Sequence, residues 1–142
     1  MKVLNLAPQV KNPFIPGDIK IYSKVVHSSE IAAFESGMVH PLYATFYLTK
    51  DAEWSTRLFV LEMKEEDEEG IGTFIEVYHR SPVLVGSKVD FYATLDEVEG
   101  NAIICSFSAK VGDRVIADGR TGQKILKKEK LNAVIARLEE MG

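Results

Sequence analysis

Histidine and cysteine, two side chains suited to proton transfer and nucleophilic attack, are few in this chain and widely spaced. The sequence contains three histidines and one cysteine. His79 ends the stretch GIGTFIEVYH, residues 70–79, and period-two alternation places it on the same strand face as Ile75 and Val77. An imidazole on an apolar face can transfer protons at neutral pH, or it can simply bond a backbone carbonyl. Both interpretations are open at this point.

The other candidate residues are weaker. His27 and His40 each lie beside the end of a predicted element, with no carboxylate or cysteine at metal-ligand spacing. Cys105 alternates with Ile103 and Phe107 within AIICSFSA, which is typical of a small core residue. We therefore predict no metal site and no cysteine nucleophile.

Composition limits the classes of protein that need to be considered. The 142 residues are 46% hydrophobic with a formal net charge of −4, which favours one domain over residues 1–142 and gives no basic field for nucleic acid. No apolar run approaches the roughly 20 residues of a membrane helix, and the first residues lack the apolar core of a signal peptide. We expect a cytoplasmic protein that does not bind membranes.

The elements that must position His79 fall into two halves of different periodicity. After an irregular lead-in over residues 1–17, a strand is predicted over 18–26, then a helical turn at IAAF with Pro41 as a plausible first residue of the next helix. Residues 42–63 form the longest helical candidate. We expect the acidic residues 64–69 to be its solvated end, with Gly70 stopping the helix.

The predicted helix has two apolar ridges, which suggests that it is buried nearly all round. One ridge contains Leu48, Ala52, Phe59, Val60 and Met63, and the other contains Tyr43, Tyr47, Trp54, Leu58 and Leu61. Strands with period two follow over residues 72–80, 88–98, 102–111 and 114–127, with turns at Gly100 and Gly112, before a final amphipathic helix. This order predicts an α+β fold in which an antiparallel sheet wraps around one long central helix.

Four short pieces of the sequence resemble the fluoroacetyl-CoA thioesterase family of hotdog proteins. They are Tyr43-Ala44-Thr45, Glu53-Trp54, Gly72-Thr73 leading to His79 with Gly86 beyond, and the terminal run from Glu129 to Ala133. Their spacing matches without a gap from Thr45 to Gly86, and the resemblance covers roughly residues 28 to 135. It implies the hotdog fold, in which two sheets usually pair edge to edge in a homodimer.

The resemblance implies a catalytic set of Thr45, Glu53 and His79, acting on an acyl-CoA thioester with no cofactor beyond the coenzyme A of the substrate. Glu53 would attack the acyl carbon or activate water, and His79 would protonate the leaving thiolate or relay a proton. Thr45 would orient His79 or the substrate. Gly72 would lie near the substrate carbonyl, where a residue without Cβ suits an oxyanion donor.

Helical geometry sets a condition on this catalytic set. In one straight helix, Thr45 and Glu53 would be about 12 Å apart along the axis. We therefore expect the regular helix to begin near Thr49, with Thr45 on the preceding segment. The alternative is that the set is completed across a dimer interface.

The segment before Thr45 differs from the family pattern. Val39 stands where the fluoroacetyl-specific member uses an aromatic gate, so we predict a short or medium acyl-CoA rather than fluoroacetyl-CoA as substrate. An acyl pocket is predicted from one group of apolar side chains: Phe34, Met38, Val39, Leu42 and Phe46. Arg80 is a candidate for the coenzyme A phosphates.

Two other functions compete with a thioesterase on the same fold. A non-catalytic binder of acyl-CoA or another small ligand is the main alternative, although it would have no need for the Thr, Glu and His set. A hotdog hydratase would need an Asp and His pair in a different loop pattern, and we find no such pair in the sequence.

Overall fold

A five-stranded antiparallel sheet carries the long helix against one face, and a two-stranded hairpin leads into that helix. The computed structural model describes residues 10–142. Its elements, in chain order, are β1 (Ile19–Val25), a 3₁₀ helix (Ser28–Glu30), β2 (Ile31–Phe34), β3 (Gly37–Tyr43), α1 (Thr45–Met63), β4 (Glu68–His79), β5 (Lys88–Glu99), β6 (Ala102–Val111), β7 (Arg114–Lys127) and α2 (Lys128–Met141). The sheet order is β1-β5-β6-β7-β4, so β4, which ends at His79, is an edge strand.

The core lies between the sheet and α1, as the alternation in the last strands predicts. Every second residue is buried from Val89 to Leu95 in β5 and from Ile103 to Ala109 in β6. These side chains pack against one ridge of α1, whose five members are fully buried: Leu48, Ala52, Phe59, Val60 and Met63. The α+β hotdog arrangement, the meander of β5 to β7 and its two glycine turns are confirmed.

The second predicted ridge is only partly buried: Tyr43 is buried but lies in β3, and the members within α1 are more exposed than predicted. Trp54 and Leu61 are 40% and 39% exposed, and Leu58 is half-buried. The sheet covers only one side of the helix in a single chain, so the prediction of a helix buried nearly all round is wrong for the residues described.

The segment before α1 is a hairpin rather than a helical turn. IAAF forms β2, and Pro41 lies within β3 instead of beginning a helix. A short apolar run fits a strand as well as a helix, and Gly37, at φ +107°, supplies the left-handed residue of the turn. A two-stranded sheet also leaves backbone N–H groups of β3 without a ladder partner, which is where proline is tolerated.

The acidic segment after α1 is also not a helix end. α1 stops at Met63, Lys64 is extended, and Glu68 and Glu69 already belong to β4. Glu68 is 7% exposed and its carboxylate accepts from the Glu65 N–H at 2.8 Å. A buried acid bonded by its own turn has the same local sequence signature as a solvated one, which is why this prediction failed.

Part of the lead-in can be located. Residues 10–17 are irregular, as predicted, and Phe14 packs edge-on against Phe59 with ring centroids 5.0 Å apart. The rest of the predicted lead-in, residues 1–9, lies outside the described residues. Neither helix within residues 10–142 combines the length and apolar character that a membrane crossing requires.

Gly119 fixes the close approach of β7 to β4, and we expect Gly119→Ala to destabilise the protein strongly. A Cβ at this position would lie 1.9 Å from the backbone oxygen of Glu76 and 2.9 Å from the Phe107 ring. A backbone atom cannot rotate away, so the loss should be about 3 kcal/mol, measured by urea unfolding. Arg120→Ala, one residue along on an exposed position, should change stability by less than about 0.5 kcal/mol. Equal unfolding midpoints for the two variants would contradict the assignment.

Candidate active site

Thr45 and His79 meet where α1 begins and β4 ends. Thr45 is the first residue of α1 and His79 is the last residue of β4. The Thr45 Oγ1 and His79 Nδ1 atoms are 2.9 Å apart, a hydrogen bond between residues 34 positions apart in the chain. His79 lies on the face of β4 that also carries Val77, which packs against the core. The structure therefore brings together two of the three residues in the predicted set.

Burial makes His79 a weak base that is uncharged near neutral pH. Loss of solvent lowers the pKa of His79 below its usual 6.5, the Ser81 backbone partly opposes the shift, and positive charge on His40 lowers the pKa further. The Nε2 atom is buried, and no hydrogen bond of normal geometry reaches it from residues 10–142. A neutral imidazole beside a hydroxyl is suited to accept a proton.

We expect the pH profile of kcat/KM to reflect this environment. Since the depressed pKa keeps His79 neutral down to a lower pH, activity should rise through a midpoint below 6.5 and then level off. His40→Asn removes a nearby positive charge and should move that midpoint upwards. Initial rates between pH 4.5 and 8 would measure both profiles, and a midpoint above 7 in the unmodified protein would contradict the environment described.

Glu53 lies in a second place, against the backbone of β4. A Cβ built on Gly72 would be 2.8 Å from the Glu53 Oε2 atom, so the carboxylate occupies the space that a side chain there would need. Glu53 is half-buried and has no hydrogen bond or ion pair to any described side chain. It lines a cavity of about 450 Å³ together with Gly72, Trp54 and Tyr22. This is an uncommitted carboxylate beside open space.

Within one chain, the two parts of the predicted set do not share a cavity. His79 and Thr45 line a smaller one, of about 270 Å³, with His40 and Tyr43. α1 begins at Thr45, not near Thr49, and the Thr49 hydroxyl donates to the Thr45 carbonyl at 2.7 Å inside the helix. Glu53 is therefore about 12 Å further along the helix axis. The expectation that the regular helix begins near Thr49 is wrong, and completion of the set across a dimer interface stays a prediction.

The side chains predicted to shape an acyl pocket are mostly on the surface of the chain. Leu42 lines the His79 cavity. The other four line neither cavity and are 43% to 62% exposed: Phe34, Met38, Val39 and Phe46. Their role in acyl binding stays a prediction.

Arg80, predicted to contact phosphate, is engaged elsewhere. Its guanidinium donates to both carboxylate oxygens of Asp118, with the Nε–Oδ2 and Nη2–Oδ1 pairs at 2.5 and 2.9 Å. Arg80 still lines the rim of the His79 cavity, so phosphate binding there would require this pair to be exchanged.

Sequence reasoning missed a buried polar network between the two cavities. The Tyr43 hydroxyl donates to Asp51, and Lys24 donates to Asp51 at 2.8 Å and also to Glu30. Burial and the neighbouring Asp51 raise the pKa of Tyr43 above its ordinary value, so it remains a donor. Tyr43 lines the His79 cavity and Asp51 lines the Glu53 cavity. The only sequence signal was Asp51 standing next to the apolar ridge of α1.

The sequence of this chain matches one known protein family over most of its length. The family model described as fluoroacetyl-CoA-specific thioesterase matches residues 26–129. The chain belongs to this family. Membership makes it a thioester hydrolase, and the family resemblance drawn from residues 28 to 135 is confirmed.

Solved structures give this family member the same fold. It is similar to a Thermus thermophilus hypothetical protein, a thioesterase superfamily member, with 36% identity, a TM-score of 0.86, and coverage of 91% of this chain and 96% of the other. A mutant of the fluoroacetyl-CoA-specific thioesterase is 25% identical with a TM-score of 0.79, over 89% and 98% of the two chains. A hot-dog-like protein from Thermanaerovibrio acidaminovorans is 20% identical with a TM-score of 0.78, over 92% and 94%, and shares the fold.

Two searches on this family member, one among curated sequences and one for metal-binding groups, give negative results. No curated protein sequence matches the chain. Within residues 10–142, no three His, Cys, Asp or Glu side chains are grouped so that they could hold a metal ion.

Proposed function

We propose that this thioesterase hydrolyses a short or medium acyl-CoA in a homodimer whose site is shared between subunits. Thr45 and His79 would come from one subunit, and Glu53 with Gly72 from the other. The observation that carries the proposal is the Thr45–His79 hydrogen bond, formed 12 Å or so from Glu53 along the same helix. A catalytic set divided in this way needs a second chain. The related fluoroacetyl-CoA thioesterase, described in complex with fluoroacetate and CoA, supports the substrate class.

The free edge of β4 offers a way to unite the two parts. β4 pairs with β7 on one side only, and its exposed residues include Phe74, Ile75 and Tyr78. An unpaired edge is a template for pairing with another strand. A second β4, running antiparallel across a two-fold axis, would continue the sheet.

An irregularity in β4 sets the register of such a pair. The pairing of β4 with β7 shifts between Gly72 and Phe74, and both Thr73 and Phe74 lie over Gly122 on the face away from α1. Two strand residues seven positions apart would normally lie on opposite faces. Because the irregularity adds one residue, Gly72 and His79 lie on the same face of β4. With the two-fold axis at Glu76, His79 of a second copy would lie opposite Gly72, next to Glu53.

The chemistry of the united site can be written in two forms. In one, Glu53 takes a proton from water as the hydroxide adds to the thioester carbon, and that proton then passes to the departing sulfur as the C–S bond breaks. In the other, the Glu53 carboxylate attacks the carbon, releases the thiolate and forms an anhydride that water then hydrolyses. In both, the Gly72 N–H would stabilise the oxyanion, and His79, held in place by Thr45, would relay a proton from the water to the sulfur.

Complementation between two inactive variants tests the shared site. His79→Ala and Glu53→Gln should each be nearly inactive alone with acetyl-CoA or butyryl-CoA. After unfolding and refolding together, random pairing makes half of the dimers mixed, and each mixed dimer regains one of its two sites. We therefore expect about a quarter of the unmodified activity, since only Glu53 of one chain and His79 of the other are then intact.

The result that overturns this proposal is equally specific. If both residues act within one chain, no mixed dimer contains an intact set, and the refolded mixture stays as inactive as its components. Size-exclusion chromatography of the mixture would show whether dimers had formed, so failure to assemble is visible separately.

A further inference from the structure

The cavity beside Glu53 is larger than a small acyl group requires. Its volume of about 450 Å³ is in the range of sites that bind drug-sized ligands. None of the side chains that the sequence predicted for the acyl pocket lines it. Its two long walls are instead an aromatic pair from β1 and α1 and a pair of glycines from β4.

The aromatic wall is rigid and has an unused ring surface. Tyr22 stacks on buried Phe91 with ring centroids 6.1 Å apart, and Trp54 meets Tyr22 edge-on at 6.5 Å and 78°. Trp54 remains 40% exposed at the cavity. Aromatic rings prefer such edge-to-face and offset-stacked neighbours, so this wall is suited to another ring.

Two glycines form another part of the cavity lining. Gly70 and Gly72 both line the cavity from β4. A Cβ on Gly70 would lie 2.6 Å from Val60 Cγ1, and one on Gly72 would meet Glu53. The α1 side chains of Val60 and Glu53 therefore already occupy the space beside these two glycines.

Two of the four charged side chains that line this cavity are already paired. Arg57 donates to Glu69 at 2.7 Å, and Asp51 is held by Tyr43 and Lys24. That leaves Lys50 and Glu53 without an ion-pair partner among the described residues, and Glu53 is the residue assigned to the thioester. Trp54 and Tyr22 are therefore the apolar part of a lining that also contains the polar side chains of Lys50 and Gln123.

We propose that the cavity between Trp54, Tyr22 and the two glycines binds the acyl group, and that the preferred acyl group carries a planar ring, as in phenylacetyl-CoA. This inference rests on the proposed acyl-CoA hydrolase function. It places the thioester carbonyl at Gly72 and Glu53, with the ring extending towards Trp54. It also moves the acyl site away from the hairpin side chains predicted from the sequence.

A matched pair of substrates tests the ring's planarity. Phenylacetyl-CoA and cyclohexylacetyl-CoA have similar size, but only the first is flat. We expect kcat/KM to favour phenylacetyl-CoA by about tenfold, and Trp54→Leu to remove most of that ratio, in line with the worth of an aromatic pair. Tyr92→Leu removes a ring of β5 that lines neither cavity and should leave the ratio in place. Equal ratios in the unmodified protein and Trp54→Leu, or loss of the ratio only in Tyr92→Leu, would overturn the inference.

Ligand binding can be measured by tryptophan fluorescence in a variant that does not hydrolyse the ligand, because Trp54 is the only tryptophan in the sequence. In Glu53→Gln, phenylacetyl-CoA should change Trp54 fluorescence with saturation at about tenfold lower concentration than cyclohexylacetyl-CoA. Hydrolysis of both esters without preference and without a fluorescence difference overturns the ring inference alone. Preferential binding with no hydrolysis by the unmodified protein overturns the hydrolase function and supports the cavity assignment.

Discussion

Glu53→Gln should lower kcat by about a thousandfold, within the range contributed by positioned acid–base groups. The amide keeps the size of the carboxylate but neither accepts a proton from water nor attacks a carbonyl carbon. Glu53 makes no hydrogen bond or ion pair to a described side chain, so the melting temperature should change little. Thiol release from an acyl-CoA together with thermal unfolding measures both quantities.

Glu62 provides a matched control for this variant. It lies on the same helix, and its carboxylate pairs with Lys20 on the surface, away from both cavities. Glu62→Gln should retain essentially full activity. If Glu53→Gln kept more than a tenth of the unmodified rate, the carboxylate would not be the group that acts on the thioester.

Gly72→Ala is the second change with a large expected effect. The new Cβ would lie 2.8 Å from Glu53 Oε2, the end of a flexible side chain, so the carboxylate can swing away at little cost in folding free energy. Displacing a reacting group by about 1 Å can lower the rate by about a hundredfold. We expect a loss of that size in kcat, with a nearly unchanged urea midpoint.

Gly70→Ala offers the opposite pattern. Its Cβ would be 2.6 Å from Val60 Cγ1, in the closely packed core, so stability should fall more than activity at a temperature where the protein is folded. An alanine at position 72 that leaves kcat unchanged while lowering stability would show that Gly72 has only a packing role.

The sheet could be predicted from the sequence because each strand contains its own evidence. Residues such as Phe91 and Phe107 alternate with polar neighbours, and the glycine turns mark where each strand reverses. The direction of His79 followed from the same rule, since Val77 on its face does pack against the core. These are local properties, visible within ten residues.

Other features of the fold and the site could not be predicted, because they depend on contacts between residues that are distant in the sequence. The start of α1 at Thr45 depends on Ala44, whose backbone N–H donates to the Glu30 carbonyl at 2.9 Å. The burial of Glu68 and the partners of Asp51 also come from residues distant in sequence or from tertiary packing. The separation of Glu53 from His79 within one chain was not the main expectation. It corresponds to the alternative in which the set is completed across a dimer interface.

The edge position of β4 has a consequence for how such an enzyme responds to its own concentration. If each site needs two chains, turnover per molecule is proportional to the fraction of chains in dimers. That fraction falls when the protein is diluted below the dissociation constant of the dimer. Substrate bridging the halves would hold them together, so progress curves begun at nanomolar protein should show a lag. Abundance would then regulate this hydrolase without any effector.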